Sequence, residues 1–208
     1  MANRNTQGFG LIPAGTMGGS PSIQGQGKYK IKAGSTTSIY NGATVKLDGS
    51  NAGYVTAGDG GSPDIYGVLN GIFYNAATTL KPTFANFYKQ PITPANSEDI
   101  TAFVNDNPFQ QYVVATDDAA AQATHLITYD MNTATGDDIT GRSENTLDIG
   151  DTSANASQFR LIRSAEDPEN EDATAAYYSV IVVSNTNAYN GLILLEYIDY
   201  GNITITTS

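Results

Sequence analysis

The absence of cysteine removes disulfides, Cys-ligated zinc and thiol nucleophiles together. His125 is the only histidine, so any Ser-His-Asp arrangement or His-based metal site depends on one imidazole, and no Gly-x-Ser-x-Gly turn presents a serine. His125 lies in Thr124-His-Leu-Ile-Thr-Tyr129, a strand by pattern, and reads as an ordinary strand residue. Gly25-Gln-Gly27-Lys28 lacks the leading glycine and the following Ser or Thr of a phosphate loop, and Lys30 stands where a dinucleotide fingerprint needs its third glycine. Nucleotide binding is therefore not expected. Adjacent carboxylates occur at Asp117-Asp118, Asp137-Asp138 and Glu171-Asp172, but without tryptophan for a sugar platform they read as solvated loops, not glycosidase pairs. Asp167, Glu169 and Glu171 alternate in a loop with Asn170 and Asp172. Those hard oxygen donors are a weak candidate for Ca²⁺, although no EF-hand pattern accompanies them. Asn155-Ala-Ser157 and Asn202-Ile-Thr204 fit a glycosylation acceptor, which needs a secretory signal that the sequence does not suggest. No enzyme activity, cofactor or firm metal site is expected.

What must position these side chains is a body of short strands. Apolar segments punctuated by Gly, Pro and Asp-Gly turns predict strands over residues 28–31, 44–47, 54–57, 65–74, 84–88, 100–104 and 110–115. The series continues at 126–129, 159–163, 177–183, 192–199 and 203–206. Asp48-Gly49-Ser50-Asn51 reads as a hairpin turn, and residues 177–183, apolar on both faces, as a buried central strand. Residues 117–124 offer the one helical stretch, with an Asp to cap and alanines to follow, yet eight residues are marginal without tertiary support. The fold class is mainly β, a small barrel or sandwich of short antiparallel strands with an extended N-terminal arm and at most one or two short helices.

Three regions are expected. Residues 1–27 hold seven glycines, two prolines and isolated apolar anchors (Phe9, Leu11, Ile12, Met17, Ile23), which predicts an arm that binds a partner surface and adds little to its own core. Residues 28–115 form a first β domain, and residues 116–208 an acidic β-rich part that makes a second domain or completes the same body.

Charge is segregated between these regions. Residues 1–115 carry seven bases and six acids, a net +1, whereas residues 116–208 carry three arginines and fifteen acids, a net −12. The whole chain, at −11, lacks the clustered cations that nucleic acid binding needs. No apolar run approaches the ~20 residues of a spanning helix, and the first residues have no signal-peptide core, so synthesis in a cytoplasm without membrane insertion is expected. Only 15% of residues are charged, against a typical ~25%, a balance that suits sheets and protein contacts. The stretches 132–145 and 166–172 should face water, leaving the neutral part for a partner.

A resemblance joins these pieces. Gly8-Phe-Gly-Leu-Ile-Pro13, Gly27-Lys-Tyr-Lys-Ile31, Ile39-Tyr-Asn-Gly-Ala-Thr-Val-Lys-Leu-Asp-Gly49, Gly53-Tyr-Val-Thr-Ala57 and Ile65-Tyr-Gly-Val-Leu-Asn-Gly-Ile-Phe-Tyr74 follow one another in order. Phe84-Ala-Asn-Phe-Tyr88, residues 100–112, Asp167-Pro-Glu-Asn170 and residues 183–190 continue the pattern. Together they resemble head decoration (cement) proteins of tailed bacteriophages, particularly marine ones. The resemblance implies a virion protein, made in the host cytoplasm, on the outer surface of an icosahedral head. It would clamp adjacent major capsid subunits, and neighbouring copies of itself would be further contacts. Two other readings stay open, a tail, fibre or portal-associated β protein and a carbohydrate-binding or Ca²⁺-dependent adhesion module.

Overall fold

The computed structural model describes residues 3–18, 25–58, 60, 65–132, 136–150 and 157–185. Among them eleven strands run in the order β1 (Ile12–Thr16), β2 (Gln26–Ile31), β3 (Thr44–Leu47), β4 (Val55–Ala57), β5 (Ile65–Asn75) and β6 (Pro82–Ala85). Then follow β7 (Ile100–Asn105), β8 (Gln110–Ala115), β9 (Thr128–Tyr129), β10 (Phe159–Ser164) and β11 (Ser179–Ser184). They form two antiparallel sheets packed together, one in the order β1-β8-β11-β10-β9 and one in the order β2-β7-β5-β3-β4 with β6 on β5. The helical content of the described residues is two 3-10 turns, Ala95–Ser97 and Gln122–Thr124. The mainly β fold expected from turn chemistry and alternation is the fold observed.

Each sheet owns a core. In the first, Tyr112, Val114, Phe159, Leu161, Val180 and Val182 pack on Leu11, Met131 and Leu147. β11 is buried along nearly its whole length because it lies between β8 and β10, which is why its sequence, Ser-Val-Ile-Val-Val-Ser, is apolar on both faces. The second sheet curls until β4 and β2, the ends of its path, touch, enclosing Ile31, Ile39, Val45, Leu69, Ile72, Ile100 and Val104. β5 serves both cores. Ile65 and Val68 join the first, and Leu69 and Ile72 the second, with a register shift between Leu69 and Gly71 where β5 meets β7. The hairpin of β3 and β4 closes through the Asp48 carboxylate, which accepts from the backbone N–H of Ser50 at 2.9 Å and from the Asn51 side-chain amide at 2.8 Å.

The N-terminal segment is extended but does not stand free. β1 pairs with β8 at the edge of the first sheet, and Leu11 is 2% exposed inside the core. Upstream, the Gly10 N–H donates to the Asn145 carbonyl at 3.2 Å and the Leu11 N–H to the Gly42 carbonyl at 2.9 Å. Such approach excludes side chains. A Cβ at Gly8 would sit 2.1 Å from the Glu144 carbonyl oxygen, and one at Gly10, where φ is +71°, would sit 2.8 Å from the Ser143 Cβ. The spaced glycines of Gly8-Phe-Gly10 therefore let the backbone enter the body. The expectation that residues 1–27 lie outside the core is corrected for residues 3–16, because isolated apolar residues carry no periodicity even when a neighbouring strand makes them a sheet edge.

Four further expectations change. The boundary at 115/116 divides β8 from β9, β10 and β11, which share its sheet, so the chain passes from one sheet to the other between β7 and β8. The helical stretch at 117–124 keeps only the 3-10 turn Gln122–Thr124, because the Asp117 side chain instead caps the Ile149 N–H at 2.9 Å and holds the Asn132 amide at 2.8 Å. The polar stretch 132–145 is not wholly solvated either. Ser143 and Asn145 are buried, with the Ser143 hydroxyl donating to Asn145 Oδ1 at 2.9 Å. The strand expected at 84–88 is displaced to β6, while Tyr88 is fully buried and bridges to Ile39. Strands expected at 192–199 and 203–206, and the anchor Ile23, lie outside the described residues.

Replacing Leu11 by alanine should destabilise the protein by about 2 to 5 kcal/mol, the range for a buried leucine whose site cannot fully collapse. Urea unfolding followed by tyrosine fluorescence measures it. Deleting residues 1–16 should lower the thermal midpoint sharply, since it removes both Leu11 and the strand covering the outer edge of β8; an unchanged midpoint would restore the free-standing arm.

Candidate functional site

The groups that could carry out chemistry are distributed, and most are occupied. His125 is not in a strand but closes the 3-10 turn, donating its backbone N–H to the Gln122 carbonyl at 3.2 Å. Its Nε2 is buried without a hydrogen-bond partner among the described residues. Among the carboxylate pairs, Asp117 is engaged as described above. Asp137 accepts from the Ile139 N–H at 2.8 Å and the Thr140 hydroxyl at 2.9 Å, and these bonds hold its carboxyl below the usual range. Asp138 accepts from the Tyr40 hydroxyl at 2.9 Å and pairs with Lys89 at 2.8 Å, the lysine being the main cause of its lowered pKa. Burial, and then the Asp138 carboxylate, raise the pKa of Tyr40. These acids fix turns and strap the 136–143 loop to the Tyr40–Phe87 stack, whose rings lie 5.5 Å apart.

The loop suggested for Ca²⁺ has a different task. Asp167 Oδ2 accepts from the Asn170 amide at 2.8 Å and from the Ser179 hydroxyl at 3.4 Å, while Oδ1 accepts from the Glu169 N–H at 3.2 Å. Asn170, 5% exposed, also accepts at its side-chain oxygen from the Asn5 N–H at 2.8 Å and at its carbonyl from the Ser179 N–H at 3.1 Å. Glu169 pairs with Arg4, and the Asn3 amide donates to the carbonyls of Asp172 at 3.0 Å and Ala176 at 2.9 Å. Asp167, Glu169 and Glu171 are thus not brought together as a ligand set. No group of three or more His, Asp or Glu suited to a metal ion occurs among the described residues. The first lies turned into the loop, and the second faces the N-terminal segment, because alternation in a turn sends successive carboxylates in different directions. The loop is a clasp that fastens residues 3–5 to the turn before β11.

The anchors expected to bind a partner divide the same way. Leu11 is in the core and Phe9 is half-buried, whereas Ile12 and Met17 remain exposed on β1 and just after it. The surface feature that sequence reasoning missed is on the second sheet. Phe84 of β6 is 72% exposed, its ring 4.8 Å from that of Phe73 on β5 and 6.3 Å from that of Phe103 on β7. Strand alternation made each a candidate outward residue, but nothing in the sequence says that β5, β6 and β7 are neighbours.

Compared with known proteins, the chain matches no family model, no curated protein and no solved structure.

The lowered carboxyl of Asp167, held chiefly by the Asn170 amide, sets a pH dependence. A carboxyl whose folded pKa lies below its unfolded value contributes stability at pH above the unfolded value and loses it as pH falls through the folded one. Asp48, Asp137, Asp138 and Asp172 are shifted the same way. The thermal midpoint should therefore be nearly flat above about pH 5 and fall steeply below about pH 4, near the ordinary carboxylate range. In Asp167→Asn the midpoint should be lower than wild type at pH 7, with the difference shrinking toward pH 2; a difference independent of pH would remove the charge from this account.

Proposed function

We propose that the chain is a virion structural protein, a decoration protein on the outside of an icosahedral phage head that clamps adjacent major capsid subunits. The ordered series of motifs from Gly8-Phe-Gly10 to Asp167-Pro-Glu-Asn170 supports this reading. The observation that carries it on the molecule is the aromatic ridge in which the exposed Phe84 packs against the half-buried rings of Phe73 and Phe103. A soluble body with contiguous rings on its surface is built to meet another surface.

The physical role follows from the load on such a shell. A head packed with DNA is pushed outward, and a subunit bridging two capsid proteins adds interface that must be broken before the shell opens. A standard interface buries ~800 Å² on each partner, and many copies make modest interfaces additive. Here the contact surface is a preformed sheet. A rigid sheet face loses less conformational freedom on docking than a flexible arm would, so less of the contact energy is offset by ordering. The acidic second half would meet an acidic partner with repulsion, which favours docking through the half that holds every lysine.

Cryo-electron microscopy of the phage that encodes the chain tests this. Density for a 21.9 kDa β protein seated on the outer capsid surface is expected. Density only on the tail or at the portal would replace the reading with another virion role.

A further inference from the structure

We infer that the outer face of the second sheet, centred on Phe84 and flanked by Lys28 and Lys30, is the docking face, and that its occupant is a protein surface with an apolar socket rimmed by carboxylates. This inference rests on the virion reading only for the identity of that protein, the major capsid protein of the head.

The face is defined by register. In an antiparallel pair, residues directly opposite one another project from the same side of the sheet. Lys30 is opposite Thr101, Thr101 opposite Phe73, and Phe73 opposite Phe84, which makes one row across four strands. Lys28 is opposite Phe103, and Phe103 opposite Gly71, which makes a second row. Because Gly71 has no side chain, the rings of Phe103 and Phe84 meet over β5 although their strands are not neighbours. The result is a continuous aromatic ridge with two exposed ammonium groups on its β2 side. Lys30 is steadied by donating to the Thr101 hydroxyl at 3.0 Å. At the same end of β5 as the ridge, two residues beyond Phe73, the Asn75 amide holds the Glu98 carboxylate at 3.2 Å, so that acid is tied to an amide at the margin of the face.

A single exposed phenylalanine is ordinary, but Phe84, 72% exposed and lying against two further half-buried rings, makes a contiguous apolar patch. An aromatic anchor with cations along one side favours a socket that buries the ring and presents carboxylates on that side of its rim. The charge of the chain disfavours a second copy as occupant, since two bodies of −11 repel over most of their surfaces. Pro82 at the start of β6 also interrupts the donor row of that edge, so pairing with another strand there is poor and contact through side chains is left.

The test uses the full chain with purified heads and purified tails of the phage that encodes it, measuring bound protein by co-sedimentation. Wild type should bind heads. Phe84→Asp should weaken binding about tenfold or more, the scale of a central aromatic anchor. Lys28→Glu combined with Lys30→Glu should weaken it several-fold and reduce its dependence on salt. Ile139→Ser, at a side chain 93% exposed elsewhere on the surface, should leave it unchanged. Phe84 is mostly solvent-exposed, so its variant should keep the wild-type thermal midpoint, and the lysine variant gives a second reading that does not touch the ridge itself. Wild-type binding to heads with both variants unaffected overturns the docking face and leaves the decoration reading standing. Binding to tails that both variants lose overturns the decoration reading and keeps the face. Absence of binding to either fraction, or wild-type self-association in sedimentation velocity that Phe84→Asp abolishes, overturns the proposed occupant.

Discussion

The two sheets depend on one seam, the close backbone approach of residues 8–11 to residues 41–43 and 143–145. Leu11 donates to Gly42, Gly42 donates in turn to Leu69 on β5, and Ser143 donates to Asn41. Buried backbone groups need partners, and at this seam each sheet supplies partners to the other. The approach is short enough that Gly8, Gly10 and Gly42 cannot carry side chains without displacing backbone. Once the N-terminal segment is inside, β1 covers the edge of β8 and Leu11 fills the first core. An unpaired edge and a cavity are thereby avoided together.

The high acidity of the chain takes on a different meaning in this light. Aspartates at 48, 137, 167 and 172 accept from backbone N–H groups two residues on, and this is how a strand-rich chain with long connections fixes its turns. A carboxylate in such a turn is held ionised and oriented, which makes it a fastener. Asp117 and Asp130 also accept from backbone N–H groups, across longer distances, Asp117 from Ile149 and Asp130 from Gln158, each at 2.9 Å. Part of the net negative charge thus serves turn chemistry, while all six lysines lie in residues 28–89.

Hydrophobic residues follow a similar division between holding the body and facing outward. Tyr112 sits edge-on to Phe159 with centroids 6.2 Å apart and donates its hydroxyl to the Asn105 carbonyl at 3.1 Å, linking the turn between sheets to the first core. Burial pushes its phenol far up, so it remains a neutral donor. Phe84 has the same apolar mass without enclosure, and Phe73 and Phe103 are only half-buried. Their position on the outer face of a sheet whose inner face is already filled gives them no core to join.

The sequence by itself determined the class of structure. Alternation, Pro and Gly spacing and Asp-Gly turns placed most of the described strands within a residue or two, and the two-sided apolarity of 177–183 marked the central strand, observed over Ser179–Ser184. These signals are local, acting over the two to eight residues of a turn or strand. Pairing decided the rest. That β8 belongs with β9, β10 and β11, that residues 12–16 are a sheet edge, that Asp167 points into a clasp, and that three phenylalanines from β5, β6 and β7 meet over Gly71 all depend on which strands become neighbours. Neighbours separated by about 100 residues, such as β1 and β8, leave no periodic trace in either strand. The free energy that selects them comes from burying Leu11 and satisfying backbone groups at the seam, and it exists only in the assembled fold.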